Sequence, residues 1–186
     1  MHPWFDVSVG EKFPQEVNAI IEVPKGSKNK YELDKATGLL RLDRVLFSSV
    51  HYPANYGFIP QTLGLDHDPI DILVLGQETV VPLCIVTARP IGVMKMIDQG
   101  EEDDKILAIN PADPEYAHYT SIEELPPHRL REIKRFFQDY KVLENKEVIV
   151  DDLFGPAQAI EIIRAGVSFF AQHYKIGAQQ NVGKKE

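Results

Sequence analysis

Asp66, Asp68 and Asp71 fall in one short segment, Asp66-His67-Asp68-Pro69-Ile70-Asp71, and Asp98, Glu101, Glu102, Asp103 and Asp104 crowd a second, Asp98 to Asp104. Like charges this close raise one another's pKa and oppose folding unless cations or hydrogen-bond donors compensate them, so a metal ion is a natural resident of such a cluster. The two segments are not equally informative. An acidic loop between two strands, as at 98 to 104, is ordinarily a solvated turn. Asp71, in contrast, directly precedes Ile72-Leu73-Val74-Leu75, which reads as a strand buried on both faces. A carboxylate at the mouth of such a strand needs a partner.

The donor atoms restrict which metal. A calcium loop of the EF-hand type needs Asp or Asn at its fifth position and Gly at its sixth, where this segment has Ile70 and Asp71 behind a rigid Pro69. Zinc is disfavoured because His2, His51, His67, His118, His128 and His173 show no ligand spacing and Cys84 stands alone. Oxygen ligands suit magnesium, with manganese as a substitute. Magnesium keeps several waters and takes few carboxylates plus substrate phosphates, which makes phosphate part of the chemistry.

Basic and aromatic residues extend the constellation. Glu22 interrupts the apolar run Val17 to Val23, and the alternation Lys30-Tyr31-Glu32 places Lys30 and Glu32 on one face of an extended segment. Arg44 follows Asp43 after an apolar run. Tyr52 and Tyr56 bracket Pro53-Ala54-Asn55, whose proline restricts the turn so that both phenols can face one space. Lys105 comes two residues after Asp103, and Tyr140 and Lys141 end a helix. Taken singly, each has a plainer reading as a surface cation or a packing residue.

The elements that must hold these side chains show in the apolar pattern. Short runs at Val17 to Val23, Leu39 to Leu42, Ile70 to Leu75, Leu83 to Ala88, Ile91 to Met96 and Ile106 to Ile109 read as strands, punctuated by glycines and prolines, Pro90 among them. After residue 120 the period changes. Pro126 and Pro127 open a helix with Leu130, Ile133, Phe137 and Tyr140 on one side, ending near Lys141. Glu147 to Val150 reads as a further strand. Gly155-Pro156 then introduces a second helix with Ile160, Ile163, Val167, Phe170 and Tyr174 on a stripe. The whole is an α+β domain, predominantly β, a barrel with helices packed outside, over residues 1–176, followed by a polar, disordered tail at 177–186.

Composition narrows the function classes. The 186 residues include 20 basic and 28 acidic side chains, a net charge of −8, and are 44% hydrophobic, enough for one compact core. That acidity disfavours binding to nucleic acid or anionic membranes through phosphates, and no apolar run reaches the roughly eighteen residues of a membrane span. The lone Cys84 excludes an internal disulfide framework and favours a reducing, cytoplasmic setting.

Asp66-His67-Asp68-Pro69-Ile70-Asp71-Ile72 resembles the signature of the soluble family I inorganic pyrophosphatases, Asp-x-Asp-Pro-hydrophobic-Asp-hydrophobic. The resemblance continues through Lys30-Tyr31-Glu32-Leu33-Asp34-Lys35, Asp43-Arg44, Tyr52-Pro53-Ala54-Asn55-Tyr56-Gly57, the Asp98 to Lys105 loop and Phe136-Phe137-Gln138-Asp139-Tyr140-Lys141, and the length resembles the shorter bacterial and plant-type members. It implies a five-stranded OB-like β-barrel with two flanking α-helices that hydrolyses pyrophosphate to two phosphates with magnesium, by direct attack of water. It implies Asp66, Asp71 and Asp103 as principal metal ligands, Asp98 and Glu22 supporting further ions, and Asp68 as general base and metal ligand. Lys30, Arg44, Tyr56, Lys105, Tyr140 and Lys141 resemble the phosphate-binding groups, with Glu32 and Tyr52 nearby. Gln99 stands where the family's loop often has a second carboxylate. Short members form homohexamers, for which the second helix, with Phe169, Phe170 and Tyr174, could supply an interface, although its stripe could equally be core. Two other classes compete: a nucleic-acid-binding barrel, which should show a basic groove with stacking aromatics, and a metal-dependent nucleotide phosphohydrolase, for which the Gly-rich phosphate loop is missing.

Overall fold

The computed structural model describes residues 1–174; the tail expected at 177–186 lies outside the described residues. In chain order the strands are β1 (Val17–Val23), β2 (Asn29–Leu33), β3 (Leu40–Val45), β4 (Asn55–Phe58), β5 (Asp71–Leu75), β6 (Ile85–Asp98), β7 (Glu101–Glu102), β8 (Lys105–Ile109) and β9 (Val148–Phe154). The helices are α1 (Pro127–Asp139) and α2 (Pro156–Tyr174). β1 pairs with β4, β4 with β5, β5 with β8, β8 with β6, and β6 returns to β1, which closes a ring of five strands. All pairings are antiparallel except β5 with β8. β2 and β3 form a separate hairpin.

The unbroken apolar runs of β5 and β8 follow from burial on both faces. Ile72, Val74, Ile106 and Ala108 pack with Ala159 and Ile163 of α2, while Leu73, Leu75, Leu107 and Ile109 pack with Ile133, Phe136 and Phe137 of α1. Each large apolar side chain so buried contributes about 1.5–3 kcal/mol. α1 begins as the sequence suggests, with Pro127 at its first helical position. On α2 the fully buried residues are Ala159, Ile163, Gly166 and Phe170; Val167 packs half-buried against the same core, and Ile160 is half-buried as well.

Two expectations need correction. Leu83 to Ala88 and Ile91 to Met96 are not two strands divided at Pro90 but one, β6. Pro90 falls where only β8 pairs with the strand, opposite Ala108: the β1 pairing stops at Ala88, the β9 pairing begins at Val93, and the β8 register shifts between Pro90 and Gly92. Asn55 does not lie in a turn but starts β4. Its Oδ1 accepts from the N–H groups of Lys25 (3.1 Å) and Val80 (2.9 Å), fixing the loops beside that strand. Of the second helix's aromatic residues, Phe170 is buried against Trp4 and Phe5, while Tyr174 stacks on the same two rings and stays exposed. Trp4, 1% exposed, also donates from Nε1 to the Thr62 carbonyl at 2.8 Å.

Candidate active site

The acidic loop is held from behind. The Leu63 N–H donates to the Gly166 carbonyl of α2 at 3.0 Å, and a side chain at Gly166 would strike Ile70, since a Cβ there would lie 2.3 Å from Ile70 Cδ1. Helix and loop can therefore touch. Within the loop, Asp66 Oδ1 accepts from the Asp68 N–H at 3.0 Å, and the Gly64 N–H donates to the Asp68 carbonyl at 2.7 Å. This local turn presents Asp66 and Asp68 ahead of Asp71, the first residue of β5.

A cavity of about 160 Å³ opens here. Glu22 of β1, Lys30 and Glu32 of β2, Tyr56 of β4, the loop residues Asp66 and Asp68, Asp71 and Asp103 all line it, so strands far apart in sequence converge on one space. Lys35 lines it too and pairs with Asp68. The remaining expected residues stand behind or beside this wall. Buried Lys105 pairs with both Asp71 and Asp103. The Tyr52 ring lies 5.3 Å from that of Tyr56. Asp98 pairs with Lys141 and sits 3.5 Å from the Tyr140 hydroxyl. Arg44 pairs with Asp43, which also meets Lys30 at 3.4 Å, and its Nε donates to Glu144 at 2.7 Å.

The second acidic segment splits in two. Gln99 and Gly100, with φ of 51° and 91°, turn β6 into β7, and Glu101 and Glu102 are exposed in the manner of a solvated turn. Asp103 faces the cavity, and Asp104 is drawn away by Lys95 at 2.5 Å. Glu102 and Asp104 line an adjoining cavity of about 250 Å³ with Asp66, Asp71 and Asp103.

Burial dominates the electrostatics. Glu22 is pushed up to about 8 by burial and then by the charge of Asp71, although the Leu33 N–H donates to it at 2.7 Å and pulls the other way. Asp66 is raised by burial and by Asp103; Asp103 is raised by burial, which Lys105 only partly offsets. Burial also opposes the charge of Lys105, but Asp71 and Asp103 outweigh it and raise the lysine. Tyr52 and Tyr56 are raised by burial and Asp71, and Tyr140 by burial and Asp98, so all three phenols remain donors at neutral pH.

Among the described residues no three carboxylate, imidazole or thiol side chains converge into a ready ligand set. Lysines stand between the carboxylates instead: Lys105 at Asp71 and Asp103, Lys35 at Asp68, Lys141 at Asp98. The donor set nevertheless fits a hard divalent cation. Its donors are oxygens, Asp98 Oδ1 is buried without a hydrogen-bond partner among the described residues, and burial and mutual repulsion hold Glu22 and Asp66 above their ordinary values.

Sequence reasoning assigned no role to three participants. Lys35 follows Asp34, whose carboxylate accepts from Ala36, Thr37 and Arg41; this turn signal was available in Asp34-x-x-Thr37-Gly38. Asp43 bridges Lys30 and Arg44, which the β2–β3 pairing sets side by side. Glu144 carried no local signal.

The family model described as inorganic pyrophosphatase matches residues 19–171. Soluble inorganic pyrophosphatase 2 of Chlamydomonas reinhardtii is 55% identical over 181 residues, covering 97% of this chain and 94% of the relative. Soluble inorganic pyrophosphatase 1 of Arabidopsis thaliana is 58% identical over 172 residues, covering 92% and 81%. The crystal structure of inorganic pyrophosphatase from Thermus thermophilus matches with a TM-score of 0.86 at 38% identity, covering 88% of this chain and 96% of that one. The matched span includes both acidic segments and the Tyr140-Lys141 pair, and the chain belongs to the inorganic pyrophosphatase family.

Proposed function

We propose that this chain hydrolyses pyrophosphate to two phosphates by direct attack of water, with magnesium as its cofactor and manganese as a substitute. The observation that carries this reading is the cavity wall itself: Asp66, Asp68, Asp71 and Asp103 share it with Lys30 and Lys35. A wall of carboxylates alone would repel the substrate; one of lysines alone would leave nothing to activate water.

In this reading Asp66, Asp71 and Asp103, with Asp98, Glu22 and Asp68, hold divalent cations, which neutralise the substrate and lower the pKa of water. Asp68 takes the proton as the water oxygen bonds to one phosphorus and the bridging P–O bond breaks. Lys30, Arg44, Lys105 and Lys141 bear the charge of the two phosphates. Tyr56 and Tyr140 donate hydroxyls without adding charge, and Glu32 and Tyr52 support the lysine and the phenol beside them. The burial of Tyr52, Tyr56 and Tyr140 also argues against a nucleic-acid-binding barrel, because none of these three rings is laid open for base stacking.

The reading extends to one domain over residues 1–176, a cytoplasmic setting supported by the unpaired Cys84, and a homohexamer. Exposed Leu42, Phe47, Val142 and Leu143 offer apolar surface for contacts between copies. A sedimentation mass equal to one chain removes the hexamer. Phosphate release from pyrophosphate against a nucleoside triphosphate, with magnesium, tests the substrate: equal rates on both favour the nucleotide phosphohydrolase instead.

A further inference from the structure

The guanidinium of Arg44 is gripped on two of its three nitrogens. Nη1 donates to Asp43, the preceding residue on β3, and Nε donates to Oε1 of Glu144 at 2.7 Å. Glu144 ends the short turn Val142–Glu144 directly after Lys141, and its own side chain is only 6% exposed. Lys146 stands 3.7 Å from its second oxygen. The third nitrogen, Nη2, is buried and has no hydrogen-bond partner among the described residues.

This arrangement differs from a side-on ion pair. A carboxylate that met Nε and Nη2 together would form two parallel bonds and leave the guanidinium no free arm toward a ligand. Here Glu144 takes Nε alone and Asp43 takes Nη1, so the one pair of N–H groups left without an acceptor is on Nη2. A buried charged donor without an acceptor is unfavourable, a cost relieved when an anionic oxygen arrives. Asp43 in turn meets Lys30, which lines the cavity, so the clamp is continuous with the cavity wall.

We infer that Glu144 is a positioning residue that fixes Arg44 through Nε and so keeps Nη2 free to donate to a phosphate oxygen of the substrate. The inference rests on the reading of Arg44 as a phosphate-binding group. Glu144 touches no substrate and acts only through Arg44. It adds to the expected site a residue a hundred positions away in sequence from the side chain it controls.

A double-mutant cycle tests it on the full-length protein with pyrophosphate and magnesium. Glu144→Ala lowers kcat/KM by about 10- to 100-fold, whereas in an Arg44→Ala background the same change costs less than about twofold, because residues that act as a unit are not additive. Glu144→Gln, whose amide oxygen can still accept from Nε, recovers most of the loss. Melting temperatures separate folding damage from misplacement of the guanidinium. The inference is overturned if Glu144→Ala costs the same factor in both backgrounds, or if it costs nothing. If Arg44→Ala itself retains the parent rate, the phosphate role of Arg44 falls and the inference falls with it; an impaired Arg44→Ala with additive Glu144→Ala overturns the inference alone.

Discussion

Lys105 donates to Asp71 across the one parallel strand pair of the ring, where the register Ile72↔Ile106 sets the first residues of β5 and β8 side by side. The same ammonium reaches Asp103. A buried cation between two carboxylates is the internal counterion of the metal-free site. Lys105→Met leaves both carboxylates uncompensated and costs about 3–5 kcal/mol, as breaking a buried pair does. Urea unfolding in chelator should show this loss, and magnesium should restore a larger share of stability in the variant than in the parent.

Glu22 sets a pH dependence with a definite sign. Its folded value of about 8 lies above the ordinary 4.5, so between these the folded protein holds a proton that the unfolded chain has released. The stabilising contribution is complete below the lower value and is lost as pH rises through the higher one, a change on the order of a few kcal/mol. Metal-free protein should therefore lose stability between about pH 5 and pH 9. Glu22→Gln, which still accepts from the Leu33 N–H, should flatten that slope in urea midpoints taken across the range.

Asp68 carries the proposed proton transfer. Its partner in the structure is Lys35, both are about half exposed, and neither supports the core. Asp68→Asn should lower kcat by about 10²–10⁴-fold, the usual worth of a general base, while leaving the melting temperature within a few degrees. Turnover at the parent rate would remove Asp68 from the mechanism.

Gly57 is required by close approach. A Cβ on it would lie 1.8 Å from the Ile20 carbonyl oxygen, in the β1–β4 ladder that carries Glu22 and Tyr56. Gly57→Ala should destabilise the protein by more than about 3 kcal/mol, beyond the ordinary range for a point substitution. A melting temperature equal to the parent's contradicts this packing.

Much of the frame was legible because its signals are local. β1 occupies the apolar run Val17 to Val23, β5 starts one residue inside its run, and Pro127 opens α1. The acidic motif also announced itself, since charge at the mouth of a core strand is costly. What escaped depends on contacts that sequence spacing does not encode. The passage of β6 through Pro90 requires knowing that neither β1 nor β9 pairs there. The burial of Phe170 requires knowing that the chain's first residues return to α2. The lysines at Asp68, Asp98 and Asp71, and Glu144 at Arg44, became evident only once distant elements were brought together.

The central claim is that these carboxylates and cations make a metal-dependent pyrophosphate hydrolase, and phosphate release measured before and after chelation tests it most directly. Purified protein should release phosphate from pyrophosphate with magnesium, lose that activity on full chelation, and regain it when magnesium is returned. Phosphate release that survives full chelation contradicts the account.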